Sequence, residues 1–133
     1  MSEETPSSIP GRDHSPALAG KALVIIGGTT GLGWSAAQAC LAAGAKGVVI
    51  TGRNPDSSQA AGQALGEKGR ALTGDACSPD HAGQAIALCR EAFGGFDGLY
   101  HVAGGSGRKF GDGPLHEVAD EGIGATLELN LHS

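Results

Sequence analysis

Aromatic side chains are scarce in this chain of 133 residues, where Phe, Trp and Tyr together make up 4%. Because apolar residues still amount to 40%, a hydrophobic core can form, and it has to be built mainly from Ala, Leu, Ile and Val. Basic residues are also few: nine Lys and Arg stand against fourteen Asp and Glu, the formal net charge is −5, and no basic run occurs. This balance argues against nucleic acid or an anionic membrane as a partner.

The sequence also has few cysteines and lacks long apolar runs. Cys40, Cys77 and Cys89 are odd in number and lack Cys-x-x-Cys spacing, which argues against a disulfide framework and for a reducing compartment. No apolar stretch is long enough to cross a membrane, and the polar, proline-containing N-terminus does not have the pattern of a secretory signal. We therefore expect a cytoplasmic protein with a disordered tail at residues 1–18 and one ordered domain at 19–133.

The histidines form no recognisable metal-binding pattern, because none has Cys or carboxylate partners at ligand spacing. No set of Ser, His and Asp residues suggests a nucleophilic site either. We expect four of the histidine side chains at the surface: His14, His81, His116 and His132.

Glycine, in contrast, is abundant, at 24 of 133 residues. Its most informative cluster follows the apolar run Ala22–Ile26, where Gly27, Gly31 and Gly33 have the spacing Gly-x-x-x-Gly-x-Gly. A strand, a glycine turn and the start of a helix form the usual layout of a nucleotide-phosphate site. Glycine allows the backbone to approach a phosphate closely, and the first turn of a helix offers unpaired N–H groups to an anion.

Other interpretations of this cluster are open. Gly31-x-Gly33-x-x-Ala36 also fits the Gly-x-Gly-x-x-Gly/Ala dinucleotide pattern, but there the first glycine directly follows the strand, as Gly27 does here. An ATP-type loop needs Gly-Lys-Ser/Thr at its end, and Trp34 stands at the position of the Lys. The remaining alternative is a glycine-rich turn that binds no ligand.

Downstream, helical and extended segments alternate, which predicts an α/β fold with a parallel sheet. The β-branched run Gly47–Thr51 is typical of a strand buried on both faces. Asn54 is expected to cap a helix that reaches Lys68, and Ser78 to cap another that has Pro79 at its first position. A weak third strand is expected at 70–73, and the fourth strand with its exit at 96–104. The second of these helices should bury an apolar stripe formed by Ala82, Ile86, Cys89 and Phe93.

Arg53 follows the second strand, at the point where a dinucleotide-binding fold meets the adenosine ribose. An acidic residue there would bond the 2′-hydroxyl of NAD, whereas an Arg accommodates the 2′-phosphate of NADP through paired charged hydrogen bonds. Arg53 therefore favours NADP over NAD, with a solvated surface arginine as the alternative.

The glycine turn resembles that of the short-chain dehydrogenase/reductase family, which reads Thr-Gly-x-x-x-Gly-x-Gly, with Ile26 here in place of the Thr. Further matches are Asp75, the stretch Asp97-x-Leu99 and the pair Ala103-Gly104; His101 and Val102 replace two family Asn residues. Near the C-terminus, Asn130-Leu131-x-Ser133 is similar to the family's Asn-Leu-x-Ser. The resemblance implies a Rossmann-type doubly wound parallel sheet, truncated after about four strands and ordered 3-2-1-4.

The same resemblance assigns site residues. It places Asn130 in the family's catalytic proton relay. The residues that it places at the cofactor, NADP before NAD, are Gly27, Thr29, Thr30, Gly31, Leu32, Gly33, Arg53, Asp75, Ala76, Ala103 and Gly104.

The family's acid/base is a Tyr followed four residues later by a Lys and assisted by a Ser. Tyr100, the one tyrosine of this sequence, has Gly104 four residues later and does not fit that role. Two hypotheses follow. The chain is the cofactor-binding half of an oxidoreductase that acts on a small carbonyl or alcohol, or it is a non-catalytic nucleotide-binding fragment or inactive remnant. In the second case the fourth strand is an exposed edge through which copies would associate.

Overall fold

The computed structural model describes residues 16–111 and 113–133. The predicted tail therefore lies largely outside the described residues, and so does His14. Near the first of the described residues, Leu18 donates its N–H to the carbonyl of Ala43 at 3.0 Å and packs against the core.

Within residues 16–111 and 113–133, four strands and four α-helices alternate along the chain. They are β1 (Ala22–Ile26), α1 (Gly31–Ala42), β2 (Gly47–Gly52), α2 (Pro55–Leu65), β3 (Gly69–Thr73), α3 (His81–Phe93), β4 (Gly98–His101) and α4 (Asp120–Leu127). A π-helical turn, Glu128–His132, continues α4. All strands pair in parallel in the order β3-β2-β1-β4, so the predicted α/β class and strand order are confirmed.

The core lies on both faces of β1 and β2, as their continuous apolar sequences predict. Alternate residues of each strand point to opposite faces. On one face, Val24 and Val49 belong to a buried cluster with Ala85 of α3; on the other, Ile25 and Ile50 form a buried cluster with helical alanines. Small alanines at the helix positions let α1 and α2 approach the sheet closely. The scarcity of large aromatic residues therefore does not prevent a packed core.

Helix α2 begins as the sequence predicts and ends earlier. The Asn54 side chain accepts the N–H groups of Asp56 at 2.9 Å and Ser57 at 3.1 Å, which is a capping interaction. The helix stops at Leu65 because Gly66 adopts φ +71°, and residues 66–68 form a separate 3₁₀ turn instead of continuing to Lys68.

The predicted start of α3 is wrong, whereas its predicted apolar stripe is wrong only at Ala82, because Cys89 and Phe93 are buried and Ile86 packs against the same cluster. Asp75 forms a turn by accepting the N–H of Cys77 at 2.9 Å on its side chain and that of Ser78 at 3.0 Å on its carbonyl. This local turn holds the chain out of helical geometry, so the helix starts at His81 rather than at Pro79. The residues that α3 buries are His81, Ala85, Cys89 and Phe93, whereas Ala82 is exposed.

His81 was expected at the surface and is instead 3% exposed. The imidazole ring fills the space beside Gly74 that a Cβ on that glycine would need. The buried Nε2 of His81 has no hydrogen-bond partner among the described residues.

Strand β4 lies at an edge of the sheet, with Leu99 42% and Tyr100 50% exposed. Most other large apolar side chains that are exposed follow it in the sequence, and among them are Ile123, Leu127 and Leu131. The described part of the chain contains no helix that combines the length and apolar character needed to cross a bilayer.

Candidate functional site

A cavity of about 270 Å³ opens at the edge of the sheet where the parallel strands end. Carboxyl ends of neighbouring parallel strands meet at one edge, which is where open α/β sheets bind ligands. Segments that follow all four strands contribute to its wall, together with Leu129 and Ser133. Eight of the predicted site residues line it: Gly27, Thr29, Thr30, Arg53, Asp75, Ala76, Ala103 and Gly104.

The other four predicted residues, Gly31, Leu32, Gly33 and Asn130, lie outside that wall. The first three form the first turn of α1, where Leu32 is 75% exposed. Backbone N–H groups at such a position have no intrahelical acceptor. The first turn carries no acidic side chain, so nothing there opposes an anion.

The glycine turn owes its shape to two close approaches. Gly27 adopts φ +85°, and a Cβ there would come within 2.7 Å of the Ala103 nitrogen. A Cβ on Gly33 would collide with the carbonyl of Gly27. These positions therefore need glycine because the turn packs tightly between α1 and the segment after β4. The exposed Gly31 differs: its φ is +56° and nothing lies within 4 Å of the position of a Cβ.

The end of β2 supplies a cation and a hydroxyl to the wall. Arg53 is exposed, lines the cavity and has no ion-pair partner among the residues described. Thr51 is 1% exposed and holds the glycine turn: Oγ1 accepts the N–H of Gly27 at 3.3 Å, and its carbonyl accepts that of Gly28 at 2.9 Å. Sequence reasoning missed Thr51, which reads as one more β-branched core residue. The available signal was a hydroxyl at the carboxyl end of an otherwise aliphatic strand.

The turn after β3 brings Asp75, Ala76 and Cys77 to the cavity. The Cys77 thiol donates to the carbonyl of Glu128 at 3.4 Å. Partial burial raises the pKa of this thiol above its ordinary value, the carboxylates of Asp75 and Glu128 raise it further, and Arg53 opposes them. The raised pKa lowers the thiolate fraction near pH 7 relative to a free cysteine, and the residue forms part of the cavity wall.

Asn130 connects the π-helical turn to the loop after β4. Its amide nitrogen donates to the carbonyls of Gly105 and Thr126, the latter at 2.8 Å, and its amide oxygen accepts the N–H of Gly105 at 3.3 Å. The side chain thus uses both donors and its acceptor on the backbone. Asn130 does not line the cavity, although the neighbouring Leu129 does, and its polar atoms face the protein.

A hydrogen bond between His101 Nε2 and Ser133 Oγ, at 3.1 Å, joins the end of β4 to the residue that follows the π-helical turn. The Ser133 hydroxyl donates its proton to the carbonyl of Leu129 at 2.8 Å, so the imidazole must be the donor to Ser133. Within the described ranges, no group of three or more His, Cys, Asp or Glu residues is arranged to hold a metal ion.

Residues 21–133 match the profile of the family described as short chain dehydrogenase. The chain is similar to the structure of a short-chain type dehydrogenase/reductase from Mycobacterium ulcerans, with a TM-score of 0.75 and 30% sequence identity, covering 86% of this chain and 42% of that one. It is also similar to a protein from Brucella melitensis described as short-chain dehydrogenase/reductase SDR:Glucose/ribitol dehydrogenase, with a TM-score of 0.73 and 31% identity, covering 86% and 47%. The chain spans less than half the length of both solved structures. The profile match, supported by these two structures, shows that the chain belongs to the short-chain dehydrogenase/reductase family.

Proposed function

We propose that the cavity binds NADP(H), and that the chain is the cofactor-binding part of an oxidoreductase acting on a small carbonyl or alcohol. One observation carries the proposal: four strand ends bring a glycine turn, an arginine, an acidic turn and a small-residue pair to one cavity. A dinucleotide needs this combination, because its phosphates, ribose and base require different partners along one groove.

The close packing of the glycine turn and the volume of the cavity support the proposal. The turn packs so closely that a Cβ on Gly27 would meet Ala103, and a Cβ on Gly52 would meet the side chain of Thr29. Glycine at such positions lets the backbone line the cavity without an intervening side chain, while the N–H groups of Gly27 and Gly28 are bonded to Thr51. The volume of about 270 Å³ lies near the lower end of the usual range for ligand pockets, about 300–1,000 Å³. This space suits part of a dinucleotide better than the whole.

Each segment of the wall has a role in this proposal. The glycine turn and the first turn of α1 would hold the pyrophosphate, and Arg53 would pair with the 2′-phosphate. Asp75 uses Oδ1 to accept the N–H of Cys77, which leaves Oδ2 for an N–H donor of the adenine. Ala103 and Gly104 leave room for a ribose. When bound, NADP(H) supplies or accepts the hydride.

This chain's own residues provide only part of the chemistry. Asn130 would position the loop at Gly105 rather than transfer a proton through its side chain, because its amide is fully engaged there. Tyr100 lies on β4 and has Gly104 four residues later. We therefore propose that the 133-residue chain binds cofactor without turnover, and that hydride transfer needs groups which this sequence does not carry. The competing proposal is a nucleotide-binding protein with no catalytic role.

Calorimetric titration of the 133-residue chain with NADPH tests the proposal. We expect saturable binding at one site per chain and, in a parallel assay, no NADPH oxidation with a reactive aldehyde or ketone. Absence of any NADPH binding by the folded chain would overturn the proposed function. Turnover by the chain alone would refute the division between binding and chemistry.

We also propose that the protein resides in the cytoplasm. The three cysteines are all free in the structure, which suits a reducing compartment. Fractionation of cells that produce the untagged protein tests this location, and recovery from a secreted fraction would contradict it.

A further inference from the structure

We infer that Thr51 is a positioning residue that holds the glycine turn in the shape a nucleotide requires; the inference rests on the proposed function. Thr51 is the fifth residue of β2, belongs to the cavity wall and is 1% exposed. It is the one described residue that bonds two consecutive amides of the turn. Its hydroxyl oxygen accepts from Gly27 at 3.3 Å, and its carbonyl accepts from Gly28 at 2.9 Å.

The Gly27 amide needs an acceptor at this point of the chain. Gly27 leaves the sheet at φ +85°, and its N–H is only partly accessible to water. The preceding residue, Ile26, is buried and apolar and offers no hydroxyl. A polar group in such a place costs free energy unless it is hydrogen-bonded. The acceptor comes instead from the neighbouring strand, where β1 and β2 pair Ile26 with Thr51.

The surroundings leave the turn little freedom to adjust without that bond. Gly27 is already in contact range of Ala103, and Gly28 is packed so closely that a Cβ would lie 2.7 Å from a side-chain carbon of Ile50. Without the Thr51 acceptor, the Gly27 N–H would reach water only if the peptide between Ile26 and Gly27 rotated. The carbonyl of that peptide accepts the N–H groups of Val102 at 2.9 Å and Ala103 at 3.0 Å, and both residues line the cavity. Such a rotation would therefore shift two segments of the cavity wall, so nucleotide affinity should change together with stability.

Two substitutions separate the hydroxyl from the packing role of this side chain. Thr51→Val keeps the volume and the β-branched shape but removes the acceptor, whereas Thr51→Ser keeps the acceptor and loses a methyl group. Thr73→Val is the matched control, because Thr73 ends β3, is exposed and does not line the cavity. Calorimetry with NADPH and thermal unfolding are measured on the full 133-residue chain and on each variant.

We expect Thr51→Val to weaken NADPH binding roughly tenfold, equivalent to about 1.4 kcal/mol. Thr51→Ser should stay within about threefold of wild type and Thr73→Val should bind as wild type does. Equal affinities for Thr51→Val and wild type would overturn the inference while leaving the proposed function intact. A loss in Thr51→Ser as large as that in Thr51→Val would overturn it too, because packing would then explain both. If the wild-type chain does not bind NADPH, the result contradicts the proposed function itself, and the inference that rests on it fails as well.

Amide hydrogen exchange of the ligand-free chain tests the same bond without any nucleotide. The Gly27 N–H should be protected in wild type and in Thr51→Ser, and it should exchange faster in Thr51→Val. Should Thr51→Val fail to fold, the wild-type measurement still decides: rapid exchange of Gly27 in the folded wild type contradicts the inference.

Discussion

The side chain of Asn130 is bonded to both backbone groups of Gly105, accepting its N–H and donating to its carbonyl. The same amide nitrogen donates to the carbonyl of Thr126, four residues earlier on the helix. In a π-helical turn the regular i to i−4 bonds are displaced, so a side chain that bonds to such a carbonyl compensates for the irregularity. Asn130 thus ties the irregular end of α4 to the loop that borders the cavity.

Asn130→Asp should loosen this connection, because a carboxylate accepts hydrogen bonds but cannot donate to the two carbonyls. We expect a loss of about 0.5–1.5 kcal/mol in unfolding free energy, the usual contribution of a hydrogen bond. The amide of Gly105 should also exchange with solvent faster. Unchanged exchange at Gly105 together with unchanged stability would show that these bonds do not hold the loop.

Gly27→Ala should strongly destabilise the chain and abolish nucleotide binding. The Cβ would meet the Ala103 nitrogen at 2.7 Å, and φ +85° is a conformation that alanine rarely adopts. Gly83→Ala is the control, since Gly83 lies within α3 with nothing within 4 Å of a Cβ. That substitution should stabilise the chain by about 0.5–1 kcal/mol. Denaturant unfolding measures both, and a Gly27→Ala variant as stable as wild type would refute the packing argument.

Cys77 should react slowly with iodoacetamide near neutral pH. Because its pKa is raised, the thiolate forms only at a higher pH than in a free cysteine, so the alkylation rate should rise later along the pH scale. Alkylation of each cysteine, followed by mass spectrometry from pH 7 to 10, measures this. NADPH should slow the reaction at Cys77, which lines the cavity. Rapid labelling of Cys77 at pH 7 would contradict the expected shift.

Self-association through β4 remains a prediction from the sequence. The strand edge is free within the described structure, and Tyr100 there is 50% exposed. We expect a concentration-dependent dimer by sedimentation, because an uncovered edge offers unpaired backbone groups to a second copy. Tyr100→Lys should shift the equilibrium to monomer, whereas Leu115→Lys, at an 82% exposed position outside the sheet, should not. A wild-type chain that stays monomeric at all concentrations would contradict this prediction.

The sheet could be predicted from the sequence because its signals are local. Continuous apolar runs set β1 and β2, and glycine and asparagine marked the ends of helices. The start of α3 could not be predicted, because Asp75 bonds the backbone two and three residues ahead and this competes with the cap expected at Ser78. The burial of His81 depends on a contact with Gly74 that no periodic pattern reveals.

The candidate site was predicted more completely in its residues than in its contacts. The sequence predicted Gly27 and Arg53 for one site from their places after two strands, and both line the cavity because parallel strands end at one edge. The hydrogen bond from the Gly27 N–H to Thr51 joins two segments that are 24 residues apart in the sequence, so the spacing of residues in the glycine turn does not predict it. The engagement of the Asn130 amide depends on the π-helical turn, which results from tertiary packing and has no simple sequence signature.

The most direct test of the central claim is calorimetric binding of NADPH and NADH to wild type and to Arg53→Ala, with Arg90→Ala as the control. Arg90 lies on α3, away from the cavity wall. Wild type should prefer NADPH, and Arg53→Ala should lose about 1–3 kcal/mol of NADPH affinity, as expected for a charged hydrogen bond, with little loss for NADH. Equal losses for both nucleotides, or no loss for either, would contradict the account of Arg53 as the partner of the 2′-phosphate.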